Sequence, residues 1–372
     1  MTQPTSVTPT SVTQDMLDSW ADDLHGPVAL HMKQRLVPVE GEGAVVFPPT
    51  YADIGYSIDA LSDGTKVAQI DSVGAQANRM EPLFKKTPTD RPSNPLAALV
   101  PQIEIVLGND KTVSILDAGH RLGDALVRSS ELADDAAAAF AAYQERGDAG
   151  PIAKLAPTSI VFGVWDSRGG HAKLPRIVQS VIRAWDVDVL HRAAQYNPPI
   201  DYVAEGELDE AGDKSESDSR SELGFRHAPA IWRDDGRKER VLGGIVARDG
   251  IWRDVTVNLI ALRALNGEHG SALRRYVLGL TIVAATDPQD GFLRQGCLLT
   301  PDPGSPAVWH LVNRGGERSC IDLTADGAVA YAQDRAKLFG VGADRSVAFD
   351  RARARTAIDL KKGGKAKKRG SG

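Results

Sequence analysis

Strand-like and helix-like stretches interleave along this chain from residue 28 to residue 340, and several strand-like stretches follow one another directly. A doubly wound parallel sheet needs stricter alternation, so the pattern predicts an α+β fold. "VALHMKQRLVPV" (28–39) reads as a strand with Lys33 and Arg35 on one side. "KVAQI" is a short strand that runs into a helix over "IDSVGAQANRME" (70–81). "PQIEIVLGNDKTVSIL" has the form of a hairpin around Gly108, Asn109 and Asp110. "TSIVFGVW" (158–165) is apolar throughout and predicts a buried strand. "DVDVL" and "GGIVARDGIWRDVTVNLIAL" are strand-like and flank an acidic segment.

The predicted helices lie between these runs. One starts near Asp117 and continues through "AGHRLGDALVRSS"; a second, "ELADDAAAAFAAYQERG", ends at Gly147. In "LPRIVQSVIRAW", Leu174, Ile177, Val178, Val181, Ile182 and Trp185 recur at helical spacing, which predicts an amphipathic helix. "SALRRYVLGLTIVAA" is apolar nearly all round, as a buried helix would be, and "TADGAVAYAQDRAKLFG" is a helix closed by Gly340.

A chain of 372 residues with 42% hydrophobic side chains has ample material for a core. It has no apolar run of about 18 residues, and "MTQPTSVTPTSVTQ" lacks a basic start and an apolar h-region. Neither a membrane span nor a signal peptide is expected, and the compartment expected is the cytoplasm. The two cysteines, Cys297 and Cys320, lack CxxC spacing and suit a reducing compartment. Charge is unevenly spread. Residues 205–222, "EGELDEAGDKSESDSRSE", carry −6 of the chain's net −5, so the rest of the molecule carries +1. The tail "KKGGKAKKR" (361–369) has six bases and no acid. Such a body has room for a basic groove without being a nonspecific binder.

Motifs of small-molecule chemistry are missing. The histidines never pair at metal-binding spacing, and HExxH, EF-hand, phosphate-loop and GxSxG patterns are absent. Asp71, Asp117 and Asp166 each follow a predicted strand end, where they could meet around a metal or simply cap turns; capping is the reading favoured. No catalytic residue, metal ligand or cofactor is expected. Polar groups suited to RNA gather instead at helix starts. On the 70–81 helix, Val73, Ala77 and Met80 form an apolar stripe, while Ser72, Gln76 and Arg79 line up opposite, with Asn78 beside them. His120 and Arg121 form a second group, and Arg168, His171, Lys173 and Arg176 a third. Arginines and amides at helix starts suit phosphate contacts.

Taken together, "IDSVGAQANRMEPLF", "LDAGHRLGDAL", "TSIVFGVWDSRGGHAKLPRIVQSVIRAWDVDVL" and "FLRQGCLLTP" resemble the backbone subunit of the type I-U (I-G) CRISPR Cascade complex, a family of the RAMP superfamily. The resemblance spans roughly residues 28–345, and "FGVWDSRG" followed by "KLPR" is its most specific part. It implies an RNA-recognition-motif-like (ferredoxin-like) palm over 19–360, with a finger insertion about 40–66 and a thumb hairpin about 186–257. The thumb would end in a mobile acidic tip at 205–225; outside the palm, composition predicts a disordered Thr/Ser/Pro-rich N-terminal segment (1–18) and a flexible basic tail (361–372). It further implies a non-enzymatic, cytoplasmic protein that stacks in several copies as a helical filament along a CRISPR RNA and presents the guide to target DNA in antiviral defence. Implied partners are the large subunit, the repeat-processing subunit and a recruited helicase-nuclease, with no membrane. In relatives a Ser/Arg-bearing helix lies against the guide; the match falls on Ser72, Gln76 and Arg79, with Gln76 replacing the small hydroxyl residue often seen there. The competing expectation is a metal-dependent RAMP endoribonuclease that cuts guide-paired RNA.

Overall fold

The computed structural model describes residues 8–359, apart from 53, 110, 168, 193–195, 228–230 and 235–237. Among the described residues, ten strands make one central sheet. They are β1 (Thr10–Ser11), β2 (Ala29–Pro38), β3 (Ile58–Ala60), β4 (Lys66–Asp71), β5 (Val178–Trp185), β6 (Ile251–Asn258), β7 (Phe292–Arg294), β8 (Cys297–Pro301), β9 (Val308–Val312) and β10 (Arg318–Asp322). The order is β1-β10-β9-β2-β6-β5-β4-β3, with β8 beside the far end of β2 and β7 folded back on β8. Every pairing is antiparallel except β1 with β10. This is an α+β architecture, as the sequence pattern predicts.

Residue alternation gives the sheet two different faces. On β2, Leu30, Met32 and Leu36 are buried, while His31, Lys33 and Arg35 point the other way. On β6, Ile251, Arg253, Val255 and Val257 are buried and Trp252, Asp254 and Thr256 are not. Helices cover the buried face: α1 (Gln14–Asp22), α2 (Val73–Met80), α3 (Ala133–Arg146), α4 (Gly270–Thr286) and α5 (Ala325–Phe339). The expected all-round burial of α4 is found, with Tyr276 stacked on Phe339 of α5 at 4.8 Å. The same pair of helices meets closely at Gly279, where a Cβ would stand 2.8 Å from the Ala332 Cα. Gly147, at φ +69°, ends α3 as expected.

Several stretches depart from the expectations above. "LPRIVQSVIRAW" is not a helix: Val178–Trp185 is β5, hydrogen-bonded to β6 on one side and β4 on the other. Its Val and Ile pairs satisfy a helical and a strand period alike, and pairing with two neighbours settles the choice. "TSIVFGVW" is not one strand. Thr158–Val161 makes a helical turn after Pro157, Gly163 turns the chain at φ +78°, and only Val164–Trp165 is extended, paired with Lys173–Leu174. The helix expected from Asp117 is broken into tight turns, Ile115–Asp117 and Arg121–Gly123, followed by the short helix Ala125–Arg128. Arg121 itself sits at φ +53°, outside helical space.

Of the segment 1–18 expected to be disordered, residues 1–7 lie outside the described residues, and the part from Thr13 onward is not disordered. Thr13 caps α1, and Leu17 and Trp20 anchor it in the core. The expected thumb supplies a separate three-stranded sheet (Val187–His191, Ile231–Asp234 and Lys238–Ala247), whereas β6 belongs to the central sheet. The acidic stretch contains a helix, Lys214–Glu222. In the finger region, Thr50–Tyr51 pairs with Gly55–Tyr56. The basic tail 361–372 lies outside the described residues.

Candidate nucleic-acid interface

Helix α2 forms where the sequence places it. Ser72 caps it, with its Oγ accepting from the Ala75 N–H at 3.1 Å, and Ala77 and Met80 face the core. The polar side is not a solvated face. Gln76 is fully buried: its Nε2 donates to Asp71 Oδ2 at 2.7 Å and its Oε1 accepts from Ser180 Oγ at 2.7 Å. Arg79 donates from Nε to Asp71 Oδ2 at 2.9 Å and from Nη2 to the Leu293 carbonyl at 2.8 Å. Arg294 reaches Asp71 Oδ1 at 3.2 Å from the β7 side. The network runs on through Ser180, whose Oγ accepts from Arg253 Nε at 3.2 Å. Two guanidinium groups and one amide thus satisfy one buried carboxylate, and the network ties α2 to β5, β6 and β7. The i, i+4, i+7 line read as an RNA-facing row is mostly an internal one, because buried polar groups must find partners inside the protein.

At the C-terminal end of α2 the character changes. Asn78 is exposed, and its Oδ1 accepts from Arg121 Nη2 at 3.3 Å. Arg121 is buried; its Nε stands 2.8 Å from Glu81 Oε2, its Nη1 donates to the Gly163 carbonyl at 3.2 Å, and it lies over the Phe162 ring. Burial pushes the Glu81 carboxyl up to about 7, against the pull of the neighbouring Arg121 guanidinium. Burial likewise lowers Arg121, with Glu81 opposing.

Arg121 is also one wall of an open cleft of 540 Å³. The cleft is built by the turn after Gly119, the helix Ala125–Arg128 and the ribbon Val164–Trp165 with Lys173–Leu174. The ribbon's loop is folded by Asp166, whose two carboxylate oxygens accept from the Gly169 and Gly170 N–H groups at 3.0 and 2.7 Å. A Cβ on Gly169 would stand 2.1 Å from that carboxylate, so "DSRGGHAK" needs its glycine there. Asp166 is thus a turn-former, as capping predicts. Gly163 lets the chain pass Arg176: a Cβ would meet the Arg176 Cγ at 2.7 Å.

Around this cleft stand His120, Arg121, Arg128, Lys173 and Arg176, together with the indole of Trp165, which is 58% exposed. Lys173 Nζ lies 5.9 Å from the Trp165 ring centre, and the Arg176 Nε is buried without a hydrogen-bond partner. Asp124 lines the cleft too, but its oxygens accept from the backbone N–H groups of His120 and Leu126. With Arg121 offset by Glu81, Arg128, Lys173 and Arg176 still outnumber the Asp124 carboxylate, so the balance is cationic. Phosphates can bind on such walls while a base stacks on the indole, without base-edge readout.

The structure thus gathers four of the expected residues, His120, Arg121, Lys173 and Arg176, with Asn78 joined through Arg121. His171 is exposed on the ribbon's loop, and Arg168 lies outside the described residues. Ser72, Gln76 and Arg79 belong to the α2 cap and network. Lys33 and Arg35 are on the opposite face of the sheet, with Arg35 paired to Asp302 at 3.0 Å and to Glu42. Trp165 and Arg128 were not anticipated. The signal for Trp165 was an aromatic directly before a glycine-rich turn; Arg128 offered none. Among the described residues, no group of three His, Cys, Asp or Glu side chains is placed to hold a metal ion. Among them also, no helix is long and apolar enough to cross a membrane.

Residues 30–189 match the family model described as CRISPR-associated protein GSU0053 (Cas_GSU0053). The match is to a CRISPR-associated family. It takes in β2 from Leu30 on, β4, α2, β5 and every residue named around the cleft. A CRISPR-associated role implies other CRISPR components as partners. No curated protein matches the chain.

Proposed function

We propose that this chain is a CRISPR RNA-binding backbone subunit of a type I-U/I-G surveillance complex, without catalytic activity of its own. In this reading its core is an RNA-recognition-motif-like palm. Several copies stack along one guide and present it to target DNA, in contact with the large and repeat-processing subunits and with a recruited helicase-nuclease. The observation that carries the reading is the basic cleft with its exposed indole, lying wholly inside the CRISPR-associated match. A scaffold must hold RNA of any sequence, and phosphate contacts with one stacking ring do that while leaving Watson–Crick edges for the target.

The test is binding of the full chain to CRISPR RNAs of unrelated spacer sequence, read by filter binding across a salt series. Lys173→Glu should weaken binding to all of them alike and lower the salt slope by about 0.7 for one lost single-strand phosphate contact. Trp165→Ala should cost roughly 5- to 100-fold through lost stacking. Native mass spectrometry of the assembled complex should show several copies per guide. Unchanged binding by both variants would remove the cleft from the function. A ladder of cuts in guide-matched RNA with Mg²⁺ would replace the scaffold reading with the endoribonuclease.

A further inference from the structure

The C-terminal part of the chain is delivered to the edge of the cleft. The strand Arg345–Ala348 pairs in parallel with Ile103–Val106. The chain is then pinned beside the helix Ala125–Arg128: the Asp350 N–H donates to the Ser129 carbonyl at 2.7 Å, and Phe349 bridges to Ser130. Residues 351–359 are helical. Arg353 ties this helix to α3, with Nη1 and Nη2 donating to the two oxygens of Asp134 at 2.9 Å each. A groove of 1130 Å³ lies between it and the helix Ala125–Arg128, with Leu126, Phe349 and Ile358 in its walls. Ala125 and Arg128 line both this groove and the cleft. One short helix, about 10 Å across, therefore separates the cleft from the helix that leads to the C-terminal segment.

That segment, "KKGGKAKKR" (361–369), lies outside the described residues; its sequence has six bases, no acid and no apolar side chain larger than alanine. Such a composition suits an interaction arm and not a core. The acids near its root are already engaged. Asp134 holds Arg353, and Asp135 accepts from Arg345 Nη1 at 2.6 Å. Asp350 accepts from the Arg353 N–H at 2.9 Å, and Glu131 from the Ala348 N–H at 3.0 Å. Asp359 is the single acid between 351 and 369 and offsets one of the six bases at most. The cleft next to the root is cationic as well, so cleft and segment repel each other. An anion long enough to touch both removes that repulsion.

The chain's own acidic stretch, 205–222, is the other anionic candidate. It belongs to the thumb, whose sheet begins at Val187, past the end of β5, whereas Arg176 of the cleft stands before the start of β5. The eight residues of β5 put about 26 Å between those two ends. Residue 369 is ten residues beyond 359, a reach of up to about 35 Å, and a strand seated in the cleft starts well within it.

We infer that residues 361–369 are a tethered arm that grips the phosphate backbone of the single strand seated in the cleft, a role that rests on the cleft being the nucleic-acid site. Once the cleft is occupied the arm's contacts are intramolecular, at an effective concentration on the order of millimolar. Weak phosphate contacts then add affinity without adding sequence preference. They also make binding depend on length, because a strand that only fills the cleft leaves the arm little to hold.

The test uses the full chain with fluorescent oligo-rU probes of about 5 and about 20 nucleotides and a salt series. The arm variant is Lys361→Gln, Lys362→Gln, Lys365→Gln, Lys367→Gln, Lys368→Gln and Arg369→Gln together. It should bind the long probe about tenfold or more weakly, with a salt slope lower by about 2 for three lost single-strand contacts. Its binding of the short probe should change by less than about twofold, and its melting temperature should match the wild type. Lys173→Glu should weaken both probes. Long-probe binding and slope unchanged in the arm variant, with Lys173→Glu still weakening both probes, would overturn the arm and leave the cleft reading standing. Equal losses on both probes in the arm variant, with Lys173→Glu and Trp165→Ala without effect, would remove the cleft and with it the arm's role there. Unchanged binding of both probes with faster proteolysis within 205–222 would overturn the proposal and make the acidic stretch the segment's partner.

Discussion

Arg79→Ala should destabilise the fold and leave the intrinsic RNA contact largely untouched. Arg79 makes two hydrogen bonds, to Asp71 Oδ2 at 2.9 Å and to the Leu293 carbonyl at 2.8 Å. Charge-assisted bonds of this kind are worth roughly 1.5–3 kcal/mol when well buried. The Arg79 side chain is one-third exposed, so water replaces part of what is lost. Asp71 also keeps Gln76 on Oδ2 and Arg294 on Oδ1, and no charge is left alone. The cost should therefore be about 1–2 kcal/mol. Asp71→Ala is more severe, because it strips the acceptor from three donors, one of them on fully buried Gln76. About 3–5 kcal/mol is expected there. Urea unfolding gives both values, and the double variant gives the coupling, which should be about 1 kcal/mol or more between residues in direct contact. An Arg79→Ala variant within 0.5 kcal/mol of wild type, with weaker RNA binding and a lower salt slope, would refute the reasoning. It would show that the guanidinium faces RNA and not Asp71.

Burial raises Glu81 to about 7 from an ordinary value near 4.5, so the folded protein holds a proton that the unfolded chain releases between those values. This group's contribution is full below pH 4.5 and is lost as pH rises towards 7; Glu81→Gln should therefore flatten the urea midpoint measured at pH 5, 6 and 7. A wild-type midpoint that rises more steeply with pH than the variant's would contradict the sign. Gly279→Val would press a branched side chain into the Ala332 backbone, 2.8 Å from the new Cβ, and should cost about 1–3 kcal/mol by thermal or urea melting. The acidic stretch 205–222 has few apolar side chains to hold it, so limited proteolysis should cut there before it cuts β5; equal protection of the two would count against a mobile tip.

What the sequence determined by itself was local. Capping by Ser72, the stop signals at Gly147 and Gly340, the alternation in "VALHMKQRLVPV" and the uniform apolarity of α4 each act within a few residues. Short-range sterics and hydrogen bonding are enough to specify them, and with them the α+β class. The basic groups before and after "FGVWDSRGG" were legible too, since glycines and an aspartate fold that loop locally. Only the tertiary structure decided the rest. The Val/Ile run of β5 carries two periodicities at once, and hydrogen bonds to β4 and β6, from far along the chain, select the strand. Gln76 and Arg79 looked like surface because Asp71 is local but Ser180, Leu293 and Arg294 are not; burial depends on what arrives from elsewhere. Lys33 and Lys173 are alike as residues, yet the sheet separates them onto opposite faces, because which side of a strand meets the helices is a property of the packed molecule and not of its charge pattern.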